Sequence, residues 1–187
     1  MDEYKKIGKD AIIIGVSQTI VKLRTIVFLP VIIRFIGQSQ YGIWTLIIFG
    51  IQLIVPISCL GLVQSMNRFI KNENSEKHRD IFFTLLVIIF ISSICISTII
   101  YFTSPLLASL FLDTEDNANF IKLSSILVII WSINKVAIQY FRSNREMYTF
   151  SLYEVTQGLS EILLVIVLTM GGGGLISVIM GFICIRL

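Results

Sequence analysis

The sequence predicts an all-α fold: a polytopic transmembrane helix bundle with five full spans and the start of a sixth. Three observations carry this. Residues are 55% apolar and only 14% charged, with a mean hydropathy of +0.86, whereas a soluble domain is about 25% charged. Five apolar stretches reach the roughly 20 residues that a spanning helix needs. These stretches are continuous, where a membrane barrel needs alternating segments of about ten residues.

The first stretch, 11–34, holds Lys22 and Arg24 among fourteen Ile, Val, Leu and Phe residues. Each mid-helix cation costs about 2.5–3.5 kcal/mol on the insertion scale, against about 0.3–0.6 gained per large apolar residue. The totals nearly cancel. Lys22 lies about 16 Å along from residue 11, too deep for easy snorkelling, so both cations are expected to face the protein interior or a wet cavity. Gln18, Lys22 and Thr25 share one stripe, while Arg24 lies about 200° round from Lys22, nearer the side of Ser17. Two readings stay open: the cations fix helix packing through ion pairs or carbonyl contacts, or they act on a ligand.

The second stretch, 42–67, is interrupted by Gly50, Pro56 and Gly61, and Pro30 interrupts the first. Kinks are expected at these breakers, and in a transporter they are bending points. The third, 81–103, carries no charge. The fourth and fifth, 120–141 and 148–170, each carry a polar face. Lys135, Gln139 and Arg142 share a face of the fourth, and Ser151, Glu154, Gln157 and Glu161 share a face of the fifth. Counted from the short connection at 143–147, Lys135 and Glu154 lie at matching depths of about 9–10 Å, so an ion pair across the hairpin is one expectation. Glu161 lies about 20 Å up. It either meets Lys22 or Arg24 at similar depth or takes up a proton in a water-filled cavity. A sixth stretch, 175–187, covers only about 20 Å of a roughly 30 Å core. Residues 1–187 are therefore expected to form one transmembrane lobe of a longer protein with a second lobe.

Threading follows from basic residues at helix ends, which mark the cytoplasmic side. With the N-terminus inside, ten of the fifteen Lys and Arg fall on the inner side: Lys5, Lys6, Lys9, Arg68, Lys71, Lys77, Arg79, Arg142, Arg145 and Arg186. The outer side holds Arg34, Lys122 and the acidic loop with Asp113, Glu115 and Asp116. The expected location is the cytoplasmic (inner) membrane, with several passes and a cytoplasmic N-terminus.

Several classes of chemistry find no residues here. The first apolar stretch is about 24 residues long, beyond the 7–15 of a signal-peptide core. Cys59, Cys95 and Cys184 have no paired spacing and read as packing residues. His78, the sole histidine, reads as a loop residue. There is no phosphate-binding glycine loop, nucleophile elbow or metal-ligand cluster in the sequence, so no catalytic residue, cofactor or metal is assigned. The net charge of +3 reflects the inner-side bias and gives no reason to expect a nucleic-acid partner.

Residues 29–70, "LPVIIRFIGQSQYGIWTLIIFGIQLIVPISCLGLVQSMNRFI", carry Gly37, Tyr41, Gly42 and Trp44 after the first span and Leu60, Gly61, Arg68 and Phe69 closing the second. This stretch resembles the start of polysaccharide flippases (O-antigen transporters) of the multidrug/oligosaccharidyl-lipid/polysaccharide exporter superfamily. "SPLLASLF" at 104–111 and residues 144–183 are similar to the third to sixth helices of that family. The resemblance covers nearly the whole chain and rests on order and spacing. It implies the N-terminal lobe of a MATE-like transporter of twelve to fourteen helices. By that resemblance the protein moves polyprenyl-diphosphate-linked saccharide across the membrane by alternating access, for cell-surface polysaccharide export. Lys22, Arg24 and Lys135 then offer positive charge to the diphosphate, by bidentate fork or as point charges. Glu154 and Glu161, with Gln157, are the candidates for coupling to a sodium or proton gradient. Implied partners are the bilayer, the lipid-linked oligosaccharide and polysaccharide polymerase machinery. An exporter of organic cations from the same superfamily is the alternative, though it calls for acids and aromatics in the cavity. A membrane enzyme acting on lipid-linked sugars ranks third, because it needs paired carboxylates or a His/Asp cluster at a membrane face.

Overall fold

The computed structural model describes residues 2–66, 75–112, 117–144, 146–170 and 174–186. Five helices make up nearly all of it: α1 (Asp2–Ser58), α2 (Ser75–Phe111), α3 (Ala118–Ser143), α4 (Met147–Met170) and α5 (Gly174–Arg186). Among the described residues four segments are long and apolar enough to cross a membrane: Ile32–Ser58, Lys77–Phe111, Ala118–Ser143 and Met147–Leu168. Gly174–Arg186 is apolar but shorter. The fold is thus an all-α polytopic bundle, with four membrane-length helices and a short fifth among the described residues, where the sequence predicts five full spans. The stretch 11–34 is helical, but many of its side chains, Arg24 among them, lie outside the described residues, as do those of the loop 113–116.

α1 contains one non-helical residue, Gly37, at φ 82° and ψ 161°. Gln18, nineteen residues before it, touches Glu154 of α4, while Gln40, three residues after it, touches Leu175 at the start of α5. α4 and α5 are joined at that end. The non-helical Gly37 turns the chain back: Gln40 meets Leu175 and, further along both segments, Trp44 meets Phe182, so the residues after Gly37 run alongside α5. The first expected span, 11–34, lies in the arm before Gly37, whereas the second arm ends at Ser58, short of the expected 42–67. Pro30 and Pro56 sit inside helical segments, and Gly50 is helical too. The expected kink at Gly61 is present: residues 59–61 form a turn with Leu60 at φ 51° and Gly61 at φ 68°.

α2 packs chiefly against α3, and α1 chiefly against α4. Ser97 of α2 donates to the Ser125 carbonyl of α3 at 2.8 Å, and the Phe82 and Tyr140 rings lie 4.8 Å apart, so these two helices run antiparallel. The Ser58 and Ser132 hydroxyls, 2.8 Å apart, tie the second arm of α1 to α3. α5 buries Leu175, Val178, Ile179 and Phe182, the i, i+3, i+4, i+7 stripe of a core helix. Phe182 lies against Trp44 of the second arm, ring centroids 4.8 Å apart. Gly181 lets α4 approach: a Cβ there would lie 3.1 Å from Leu164 and 3.2 Å from Val165.

The resulting up-and-down order places Gly37, the α2–α3 connection and the α4–α5 connection at one end. The start of α1, the approach to α2 and the α3–α4 connection lie at the other. Lys77, Arg79 and Arg142 share the second end, whereas Arg186, also counted on that side, lies away from it beside Glu161.

Candidate functional site

α4 supplies the polar interior. Ser151 and Glu161 are buried, and Glu154 and Gln157 are half-buried, on the inward face that helical spacing assigns them. A polar group at membrane depth must find a partner inside the protein, and on this face Glu154 and Glu161 do.

Nearest the α3–α4 connection, Gln18 Nε2 donates to Glu154 Oε2 at 2.6 Å. Arg142 lies within electrostatic reach of the same carboxylate and stacks over Phe150 at 5.4 Å. Asn134 Nδ2 donates to the Tyr153 hydroxyl at 2.6 Å, joining α3 to α4. Deeper in, Arg186 Nη2 and Nε approach Glu161 Oε1 at 2.7 and 2.8 Å. This carboxylate is only 1% exposed. The Arg186 guanidinium lies 4.3 Å from the centroid of the Trp131 ring, within cation–π range. α5 runs antiparallel to α4, so Arg186 arrives beside Glu161. At the far end Gln40 Oε1 accepts the Leu175 N–H at 3.2 Å, satisfying one of the free amides that open α5.

The expected site residues fall into separate places. Lys22 is exposed on the first arm of α1, and among the described residues it makes no hydrogen bond or ion pair. The Arg24 side chain lies outside the described residues. Lys135 is half-buried on α3 and acts electrostatically on Cys59, just beyond the second arm. Lys135 and Glu154 are described, and no ion pair joins them: Glu154 turns to Gln18 because α4 packs chiefly on α1, and only lightly on α3. Glu161 has a partner in its own helical hairpin, Arg186, which the sequence reading had counted as an inner-side loop cation. Position alone hid this, since Arg186 is the basic residue of an apolar last turn. Trp131 was likewise missed, and its only signal was an indole inside a polar-faced helix.

Three buried polar atoms have no hydrogen-bond partner among the described residues: Trp131 Nε1, Ser151 Oγ and Gln157 Nε2. Among the described residues, too, no three His, Cys, Asp or Glu lie close enough to hold a metal ion. A cavity of about 490 Å³ opens between the second arm, α2 and α3, walled by Leu46, Gly50, Ile54, Ile100, Leu107 and Val128 among others. Its wall is almost wholly hydrocarbon, with Ser124 and Ser125 the exceptions. It offers nothing to a phosphate and is distinct from the cations above.

The family model for polysaccharide biosynthesis proteins matches residues 7–184. Neither the curated proteins nor the solved structures include a match to this chain. Matched over nearly its whole length and carrying four membrane-length helices, the chain belongs to the polysaccharide biosynthesis protein family, a class of membrane transporters.

Proposed function

We propose that the protein is a flippase of the MATE-like type. It carries polyprenyl-diphosphate-linked saccharide across the cytoplasmic membrane by alternating access, with its N-terminus in the cytoplasm and a second lobe completing the transport cavity. Lys22, Arg24 and Lys135 provide the positive charge that receives the diphosphate.

The observation that carries this reading is Lys22. It sits far inside a membrane-directed helix, exposed and without an ion pair among the described residues. The two carboxylates of α4 are occupied elsewhere, Glu154 by Gln18 and Glu161 by Arg186. A cation left without a counter-charge at membrane depth is costly and marks a ligand path. A diphosphate leaving water needs such partners, because burial of the unpaired anion is prohibitive.

The test replaces Lys22 and Arg24 singly by Ala in the full-length protein, expressed in cells lacking their own flippase. Surface polysaccharide and lipid-linked precursor on the inner leaflet are measured at matched membrane abundance. Loss of surface polymer with precursor build-up is expected. Unchanged export in both variants assigns these cations to packing and removes them from the site.

A further inference from the structure

We propose that Trp131, Gln157, Glu161 and Arg186 enclose a site for bound water at membrane depth, which supplies the partners that the Trp131 indole and the Gln157 amide lack. Glu161 lies fourteen residues along α4 from Met147, about 21 Å into a hydrocarbon core roughly 30 Å thick. There the Arg186 Nε and Nη2 atoms both converge on a single carboxylate oxygen, Oε1. The guanidinium covers the Trp131 ring at 4.3 Å, which places the indole beside the ion pair. Gln157 precedes Glu161 by one turn on α4, so their Cβ atoms are neighbours at about 5–6 Å.

The indole N–H and the Gln157 amide nitrogen are both buried without a hydrogen-bond partner among the described residues. Both are donors only. What completes this set is a small molecule that accepts from the indole and the carboxamide and donates in turn to the carboxylate. An apolar filler accepts nothing. A further anion is opposed by Glu161, whose charge already balances Arg186, and a metal cation meets Arg186 and two donors of the wrong polarity. Water both accepts and donates, and a buried water typically makes about three hydrogen bonds. Buried polar atoms without protein partners are the ordinary setting for such water.

The test is radiolytic hydroxyl-radical footprinting of the full-length protein in lipid nanodiscs, read by mass spectrometry. Radicals form from water at the site, so an indole beside bound water is oxidised even within the membrane. Trp44 is the internal control: it is 4% exposed and packed on Phe182. Trp131 is expected to be oxidised several-fold faster than Trp44 in the wild type. Gln157→Leu, which removes one of the water's partners, is expected to lower the Trp131 rate towards that of Trp44 and leave Trp44 unchanged. Equal protection of the two indoles in the wild type overturns the proposal without recourse to any variant. Rapid Trp131 oxidation that Gln157→Leu leaves unaltered also overturns it, since the water then reaches the indole from outside and is not held by these residues.

Discussion

Gly37, at φ 82° and ψ 161°, occupies a backbone region essentially closed to residues with a Cβ. Nothing lies within 4 Å of where that Cβ would be, so the constraint comes from the backbone alone and not from crowding. Gly37→Ala is expected to destabilise the folded protein by about 1–3 kcal/mol, read as a lower midpoint in thermal unfolding of the purified protein; an unchanged midpoint would show that Ala adopts the same turn. From sequence, the kink is expected at Gly50, which is helical, and not at Gly37. The difference depends on where α4 and α5 hold the two arms. Lys22 illustrates the same limit: its depth is legible from spacing, whereas the company it keeps depends on which helix faces it.

At the scale of elements, the Glu161–Arg186 pair joins α4 to α5 where neither end meets water freely, the side chains being 1% and 18% exposed. Removing one partner of such a pair strands the other charge, at a cost of about 3–5 kcal/mol, whereas replacing both by apolar residues is often close to neutral. Glu161→Leu alone is therefore expected to lower the unfolding midpoint strongly, and Glu161→Leu with Arg186→Leu to recover most of it. A double variant as unstable as the single one would show that the pair holds more than itself. The hairpin of α3 and α4 makes the opposite prediction. Because Lys135 and Glu154 form no ion pair, Lys135→Glu combined with Glu154→Lys is expected to be no more stable than the single changes predict by addition, and a rescue would place the two in contact. Matching depths suggested that pair from sequence, and depth was sound. What depth lacks is azimuth: the helix turns Glu154 towards Gln18, and that rotation is set by packing on α1.

For the whole molecule, the alternation of ends was legible because hydrophobic length and basic-residue bias act on each helix separately. The number of membrane-length helices was less so: among the described residues the first segment of that length begins only at Ile32, and α5 is short. The proposed threading predicts that cysteines placed at Gln38 and Asn117 react with a membrane-impermeant maleimide in intact cells. Cysteines at Lys77 and Asn144 should react only after permeabilisation, in a protein whose own three cysteines are replaced by serine; the reverse pattern inverts the threading. The Gln40 contact with the Leu175 amide, 135 residues apart in the chain, carries a consequence for biosynthesis. Gln40 leaves the ribosome and enters the bilayer long before its partner exists. The Leu175 amide acquires this partner only when α5 docks, so the contact closes after the intervening helices have been made.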